Sequence, residues 1–497
     1  MLKKFSVLIL LLCLLAGLAS ASTLYRIRFN SYPEKIRAVF DFFGEFTYET
    51  ATASKNQIVL RLKNSAASPA IQNYVEVNDL IVRYFQVERE DQDLKITIPL
   101  AAPVEYNVFY LSDPPRLVID FGRDYLNIVS GSTVEDGIEL LKIQKGTPSG
   151  NILAYALKVD PNKVEIEPAL AQKQKSGFFE SFINFFNPWK KPEEEKHFFL
   201  DKVGNIVRDN GGVAGINGTY FAYNGKPLGA LIINQELVSF PLYDRTALFF
   251  DANRQPYIDN LYLNSYCRLP NGVRLDITGI NEKRGAESVI LYSPAWGETT
   301  GTNREGIEFV VIKSTVTEVS NGNAKIPEDG YVISFSGSPV ETLGQILKPG
   351  DKIETKISFV PYATSPRSIL HLISGGPRLL KNGQPYISKY GEKFRADIAK
   401  GRAARTAVGI TAEGKLLLLI VEGARRKSQS ADNQPGSIGA TLEELAALLL
   451  NLGATEALNL DGGSSSTMIV KDRVINSLNS GAQRAVSNAL VLRPRLN

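Results

Sequence analysis

The rhythm of apolar and polar positions changes character along the chain. From residue 23 to about 124, short apolar or alternating runs recur at Leu24–Phe29, Ile36–Phe42, Gln57–Leu62, Ile81–Val87, Leu94–Ile98 and Arg116–Phe121. Ser31-Tyr32-Pro33 and Ser112-Asp113-Pro114-Pro115 separate some of them. A period of two, bounded by turn residues, is the pattern of strands with one buried face. It predicts an all-β domain over 23–124. Gly, Ser and Asp then cluster at 125–137, which reads as a linker. Hairpin patterns resume from Ile138, at Ala154–Val159 and Val164–Pro168. Residues 240–360 read as an inserted or supporting β region, with strands at Val310–Ser320 and Tyr331–Ser336. The fold class expected for 138–497 is α+β, mixed and rich in antiparallel strands.

One helix stands out among these strands. Thr441 precedes an apolar run and Glu444 lies three places on, the signature of a capping box. Leu442, Leu445, Leu449 and Leu452 share one helical face, and Gly453 stands where a left-handed cap is wanted. A short apolar run, Ala457 to Leu460, follows and ends on Asp461-Gly462-Gly463-Ser464-Ser465-Ser466. Two glycines after a strand let the backbone turn sharply and approach a bound group. The carboxylate beside them suits acid–base or nucleophilic work, or holding a cation or a sugar hydroxyl. The plainer alternative is a tight Asp-Gly turn.

The N-terminus reads as a secretory signal over 1–21. Lys3 and Lys4 precede an apolar core, Phe5 to Leu18, and Ala19-Ser20-Ala21 supplies a small-residue cleavage site. Removing it predicts a secreted protein of the cell envelope or periplasm, with no further run long enough to span a bilayer. Cys267 is then the sole cysteine, so stability has to come from cores, and the thiol reads as a buried apolar group or as a surface thiol of no consequence. Lys and Arg number 56 against 52 acidic residues, a balance that argues against a nucleic-acid binder. The two histidines, His197 and His371, leave no room for a histidine-rich metal centre. Residues 172–197 are rich in lysine and aromatics and read as a surface excursion; an interfacial membrane segment is the other reading.

Three further stretches carry possible chemistry. An apolar strand runs into Asn217-Gly218, placing a side-chain amide at a turn, where it could bind a sugar hydroxyl or close a hairpin. Gly375-Gly376-Pro377 follows another strand, and such glycines can turn backbone N–H groups toward an anion. His371, in the apolar run before them, reads as a core residue rather than a general acid. Finally, Arg402–Ile410 and Lys415–Val421 form a hairpin that starts at Arg405 and ends at Glu422. Antiparallel pairing brings those two to one edge, either as a salt bridge or as a phosphate clamp beside a catalytic acid.

Taken in order, these pieces resemble the phosphodiester glycosidase family. The matching stretches are Ile216–Phe221, Gly375-Gly376-Pro377, Arg405–Gly409, the Thr441–Leu445 helix start, Leu460–Ser465, and Arg484 to Leu490. The resemblance implies hydrolysis of a sugar-1-phosphodiester at its glycosidic C–O bond. It implies Asp461 and Glu422 as the carboxylates, and a substrate held by Asn217, Gly375, Gly376, Arg405, Thr406, Gly462, Gly463 and Ser464. Arg484 and Asn488 would support them. Many members have Asp-Gly-Arg where this chain has Glu422-Gly423-Ala424, and a third glycine where it has Ser464. The Arg37–Asp41 strand and the Pro115–Asp120 segment resemble an AMIN domain, a small β-sandwich, which implies a sandwich over 23–124 that binds cell-wall glycan; the alternative is a generic β-sandwich with no binding role.

The reading is therefore a secreted phosphodiester glycosidase acting on envelope or exopolysaccharide material, with a carbohydrate phosphodiester as substrate. No cofactor is expected, and a single magnesium or calcium ion on oxygen ligands stays compatible with the composition. Two other readings stand beside it. One is a non-catalytic envelope protein that binds glycan, and the other is a metal-dependent phosphodiesterase that cuts P–O.

Overall fold

The computed structural model describes residues 21–32, 35–54, 56–77, 79, 81–101, 103–122, 127–147, 149–173, 197–338, 340, 343, 347–366, 368–399, 401–424, 436–479 and 481–495. Residues 1–20 of the expected signal and 174–196 of the aromatic-rich segment lie outside them. The chain is mostly β and divides into two compact units. The first comprises residues 1–129, 143–153 and 425–438, and the second comprises 130–142, 154–424 and 439–497.

The first unit holds two five-stranded sheets. One runs Ser65–Ala67, Ser22–Ser31, Lys35–Phe43, Pro115–Gly122, Tyr106–Ser112. The other runs Thr47–Ser54, Gln57–Lys63, Asp93–Pro99, Tyr84–Glu90, Tyr74–Glu76. Five of the six apolar runs fall within strands, and the sixth, Ile81–Val87, enters one at Tyr84. The period of two explains the packing: Ile36, Ala38, Phe40 and Phe42 point inward, while Arg37 and Asp41 take the outer face. Phe40 meets Phe85 of the other sheet edge-on, with centroids 5.3 Å apart. Outside, Asp41 bridges Arg26 and Arg28, and Asp120 bridges Lys35 and Arg37.

In the second unit, the fully buried Leu416–Val421 strand pairs with residues 154–159 on one side and with Arg405–Thr411 on the other. Ala454–Asn459 and Arg378–Lys381 extend the sheet. An apolar run without alternation fits a strand covered on both faces. Leu418 and Ile420 pack into the unit's main core, and the helix Leu442–Asn451 contacts the same sheet. Both bonds of the Thr441–Glu444 capping box are present, and Gly453 takes φ +92° after the helix. A second sheet runs Val164–Leu170, Asn488–Pro494, Ala214–Asn217, Met468–Val470, Arg473–Val474, and contributes Ile216, Met468 and Leu490 to that core.

Strands from 231 to 373 build further sheets around their own core, which includes Phe249, Phe309 and Phe335. Cys267 is buried there, and burial pushes its thiol up to about 12. A strand at Asn127–Glu135 runs through the stretch read as a linker.

Candidate active site

The chain leaves the first sheet of the second unit at Leu460, whose N–H still donates to Thr406 O at 2.8 Å. The next residue has changed partners: the Asp461 N–H donates to Gly218 O at 3.2 Å. Asn217 secures the crossing, donating from Nδ2 to Asp461 O at 2.6 Å. Its Oδ1 accepts from Thr406 Oγ1 at 2.9 Å and from the Thr467 N–H at 3.1 Å. One buried amide thus ties together three strand ends and fixes the Asp461 backbone. Asn488 does the same for the neighbouring turn, accepting the Thr219 N–H on Oδ1 at 2.8 Å. A Cβ on Gly218 would run into that oxygen, so the turn requires glycine there.

Around the Asp461 carboxyl the setting is unusual. The residue is partly exposed, yet the surrounding protein removes most of its water, and burial raises its pKa from 3.8 to about 6. Hydrogen bonds from the Ser465 hydroxyl and the Gly462 N–H, together with the charge of Arg484, oppose the rise without cancelling it. Arg484 is exposed and donates to Ser465 Oγ at 3.0 Å, with its guanidinium 4.9 Å from the Phe221 ring centre. Gly463 donates its N–H to Ala404 O at 2.8 Å, and Ser464 is exposed at the tip of the loop.

A second polar group closes the other side. Tyr220 donates to Gly376 O at 2.9 Å and accepts from Asn459 Nδ2 at 2.7 Å. Burial first, and then the Asp461 charge, raise its pKa far above the ordinary phenol, so it stays neutral. Asn459 Oδ1 is buried with no hydrogen-bond partner. The N–H groups of Gly375 and Gly376 donate to Thr246 O and Asn459 O, at 2.9 and 2.7 Å. These two glycines therefore set the packing of the loop, with their donors already engaged.

Arg405 and Glu422 have partners of their own. The Arg405 guanidinium donates to Ala440 O, Ile398 O and Gly401 O at 3.1, 3.0 and 2.9 Å, and burial lowers its pKa. Its register partner is Val421, so Glu422, one residue further, leaves the sheet on the opposite face. There it accepts the Ser477 N–H at 2.6 Å. The structure thus gathers Asp461, Asn217, Thr406, Gly462 and Arg484 into one network, and gives the Arg405 and Glu422 side chains different surroundings. His371 is buried, accepts the Asn234 N–H on Nδ1 at 3.2 Å, and is pushed down to about 4 by burial and by the charges of Arg254 and Arg493.

The sequence alone does not single out Tyr220, Asn459 or Ser465. Tyr220 and Ser465 lie inside quoted motifs, where the eye goes to the Asn-Gly and Asp-Gly pairs. Asn459 sits in an apolar run and gives no signal of its own.

Residues 305–493 match the phosphodiester glycosidase family model. That stretch contains Gly375, Gly376, Arg405, Thr406, Glu422, Asp461, Arg484 and Asn488, while Asn217 and Tyr220 precede it. The mouse N-acetylglucosamine-1-phosphodiester α-N-acetylglucosaminidase is 28% identical over 155 residues, covering 29% of this chain and 28% of its own. The bovine protein of that name is 29% identical over 196 residues, covering 35% of each. The chain thus spans about a third of the length of these curated relatives. A crystal structure of a hypothetical protein from Synechocystis superposes over 96% of this chain and 81% of its own, with a TM-score of 0.59 and 23% identity, a likeness of fold. The phosphodiester glycosidase match and the relatives support hydrolase activity.

Proposed function

We propose that the protein hydrolyses a sugar-1-phosphodiester at the glycosidic C–O bond, with Asp461 as the carboxylate that acts at the anomeric carbon. The observation that carries this reading is the half-sheltered Asp461 carboxyl, raised to about 6 and held beside Arg484. Breaking the C–O bond builds positive charge on the sugar and returns an electron pair to the phosphate oxygen. The leaving phosphate is a stable anion and needs no proton, so the step calls for an anion near C1 and a cation near the phosphate. Above pH 6 Asp461 supplies the first, as nucleophile or as base for water, and exposed Arg484 supplies the second. Asn217, Thr406 and Asn488 hold the strand ends that aim the carboxylate. Arg405 anchors the backbone at Ile398 and Gly401, and Glu422 holds the backbone at Ser477.

The further parts of the reading are envelope placement after signal removal, and cell-wall glycan held by the N-terminal sandwich. They rest on the leader-like first 21 residues and on the AMIN resemblance. Hydrolysis in ¹⁸O-water tests the reaction: label is expected on the anomeric oxygen of the freed sugar. Label on the phosphate, read by mass spectrometry, would show attack at phosphorus and overturn the glycosidase mechanism.

A further inference from the structure

We propose that a surface strip formed by Tyr243, Arg245 and Lys393, backed by the buried Phe394 ring, is a second sugar-phosphate subsite, which holds the next unit of a polymeric substrate while Asp461 acts on the first. The inference rests on the glycosidase reading given above and extends it from a single phosphodiester to a chain of them.

Continuity is the first argument. Tyr220, whose phenol feels the Asp461 charge, lies with its ring centre 5.8 Å from that of Phe394. Beyond Phe394, cations and rings alternate. The Arg245 guanidinium lies 4.0 Å from the Phe394 ring centre and 5.7 Å from that of Tyr243, and the Lys393 ammonium lies 4.5 Å from Tyr243. Half of Tyr243 remains exposed. A sugar presents C–H faces that pack on aromatic rings, and a phosphodiester presents an anion that seeks guanidinium or ammonium donors. The half-exposed Tyr243 ring, with the Arg245 and Lys393 cations beside it, offers both to one sugar-phosphate unit. The neighbouring carboxylate of Asp244 does not neutralise it by contact: Asp244 accepts the Tyr362 hydroxyl at 2.8 Å.

Rigidity is the second argument. Arg245 donates from Nε to Glu392 O at 3.2 Å. The buried Glu392 carboxylate accepts the Thr246 N–H and hydroxyl at 3.0 and 2.7 Å, the Arg378 N–H at 3.0 Å, and the Ser388 hydroxyl. The loop that carries Lys393 and Phe394 is thereby fastened to the strands that end at the site. Tyr243 and Lys393 also both take left-handed backbone conformations, with φ +64° and +55°. That region is costly for side chains of this size and persists where the surroundings hold it.

The test uses the full-length chain carrying Asp461→Asn, and titrates it calorimetrically with a three-unit oligomer of hexoses joined by 1-phosphodiesters. The single-unit methyl ester of the same hexose 1-phosphate is the comparison. The oligomer is expected to bind about tenfold more tightly. Tyr243→Ala or Lys393→Ala in that background should remove the gain, and Tyr243→Phe should keep it. Equal affinity for the two ligands, or a gain that survives both alanine changes, would overturn the subsite. Turnover of both compounds by the otherwise unchanged chain separates the two readings. Turnover without an oligomer preference would sink the subsite and leave the glycosidase reading intact. An oligomer preference without turnover would do the reverse.

Discussion

Two sheltered aspartates in this molecule meet opposite fates. Asp41, in the N-terminal sandwich, is buried, and burial alone would raise its pKa. Hydrogen bonds and charge from Arg28 and Arg26 outweigh that and hold it below the ordinary carboxylate range. Asp461 has one arginine nearby, and that arginine reaches Ser465 rather than the carboxylate in a salt bridge. Its pKa rises instead. A carboxylate that structure requires is satisfied by its neighbours. One kept short of partners and partly open to solvent has capacity left for a substrate, and on the proposed reading that difference is what suits Asp461 to react.

The largest effect expected from this contrast is on turnover. Asp461→Asn should lower kcat for a sugar phosphodiester by about 10²–10⁴ while the far-ultraviolet spectrum stays unchanged. Near-normal kcat in that variant would end its assignment. Arg405 offers a sharper comparison, because it is a buried cation satisfied like Asp41. Arg405→Lys cannot reach three carbonyls in a planar fork and should cost about 2–4 kcal/mol of stability. The loss should affect a phosphodiester and a neutral aryl glycoside alike; a KM effect confined to the phosphodiester would return Arg405 to the substrate.

The third effect is on stability and has a definite sign. Asp461 has its folded pKa raised, so its contribution is fully present below pH 3.8 and is lost as pH rises through about 6. Asp461→Asn should therefore stabilise the protein at pH 8, by about 3 kcal/mol at most, and by nothing at pH 3.5. Asp41 runs the other way. Its folded pKa is lowered, so its stabilisation is present above pH 3.8 and fades as acid protonates it in the folded state. Asp41→Asn should cost about 1–2 kcal/mol at pH 7, kept small because both arginines are roughly half exposed. Thermal melts at the two pH values check both signs.

The sandwich was largely legible in its hydrophobic rhythm because its central strands alternate. Thr47–Ser54, Tyr106–Ser112, Ser65–Ala67 and Tyr74–Glu76 escaped it, and all four are sheet edges, where fewer positions need to be apolar. The capped helix and the turn at Asp461 were equally readable, since capping and glycine turns are local chemistry. What the sequence could not show was which strand ends meet. Asn217 reaches Asp461 across 244 positions, and Glu422 departs from its neighbour Arg405 by the parity of one residue. Arg245 and Lys393 left no sequence signal, because a cation beside a ring depends on two loops being pinned together.

The most direct test of the central claim is to titrate the aspartate side-chain carbons by ¹³C NMR in the intact protein, with Asp461→Asn and Asp41→Asn to assign the two signals. A midpoint of about 6 is expected for Asp461 and one below 3.8 for Asp41. An Asp461 midpoint at or below 3.8 would contradict the central claim, because the carboxylate would then be as fully satisfied as the one in the sandwich.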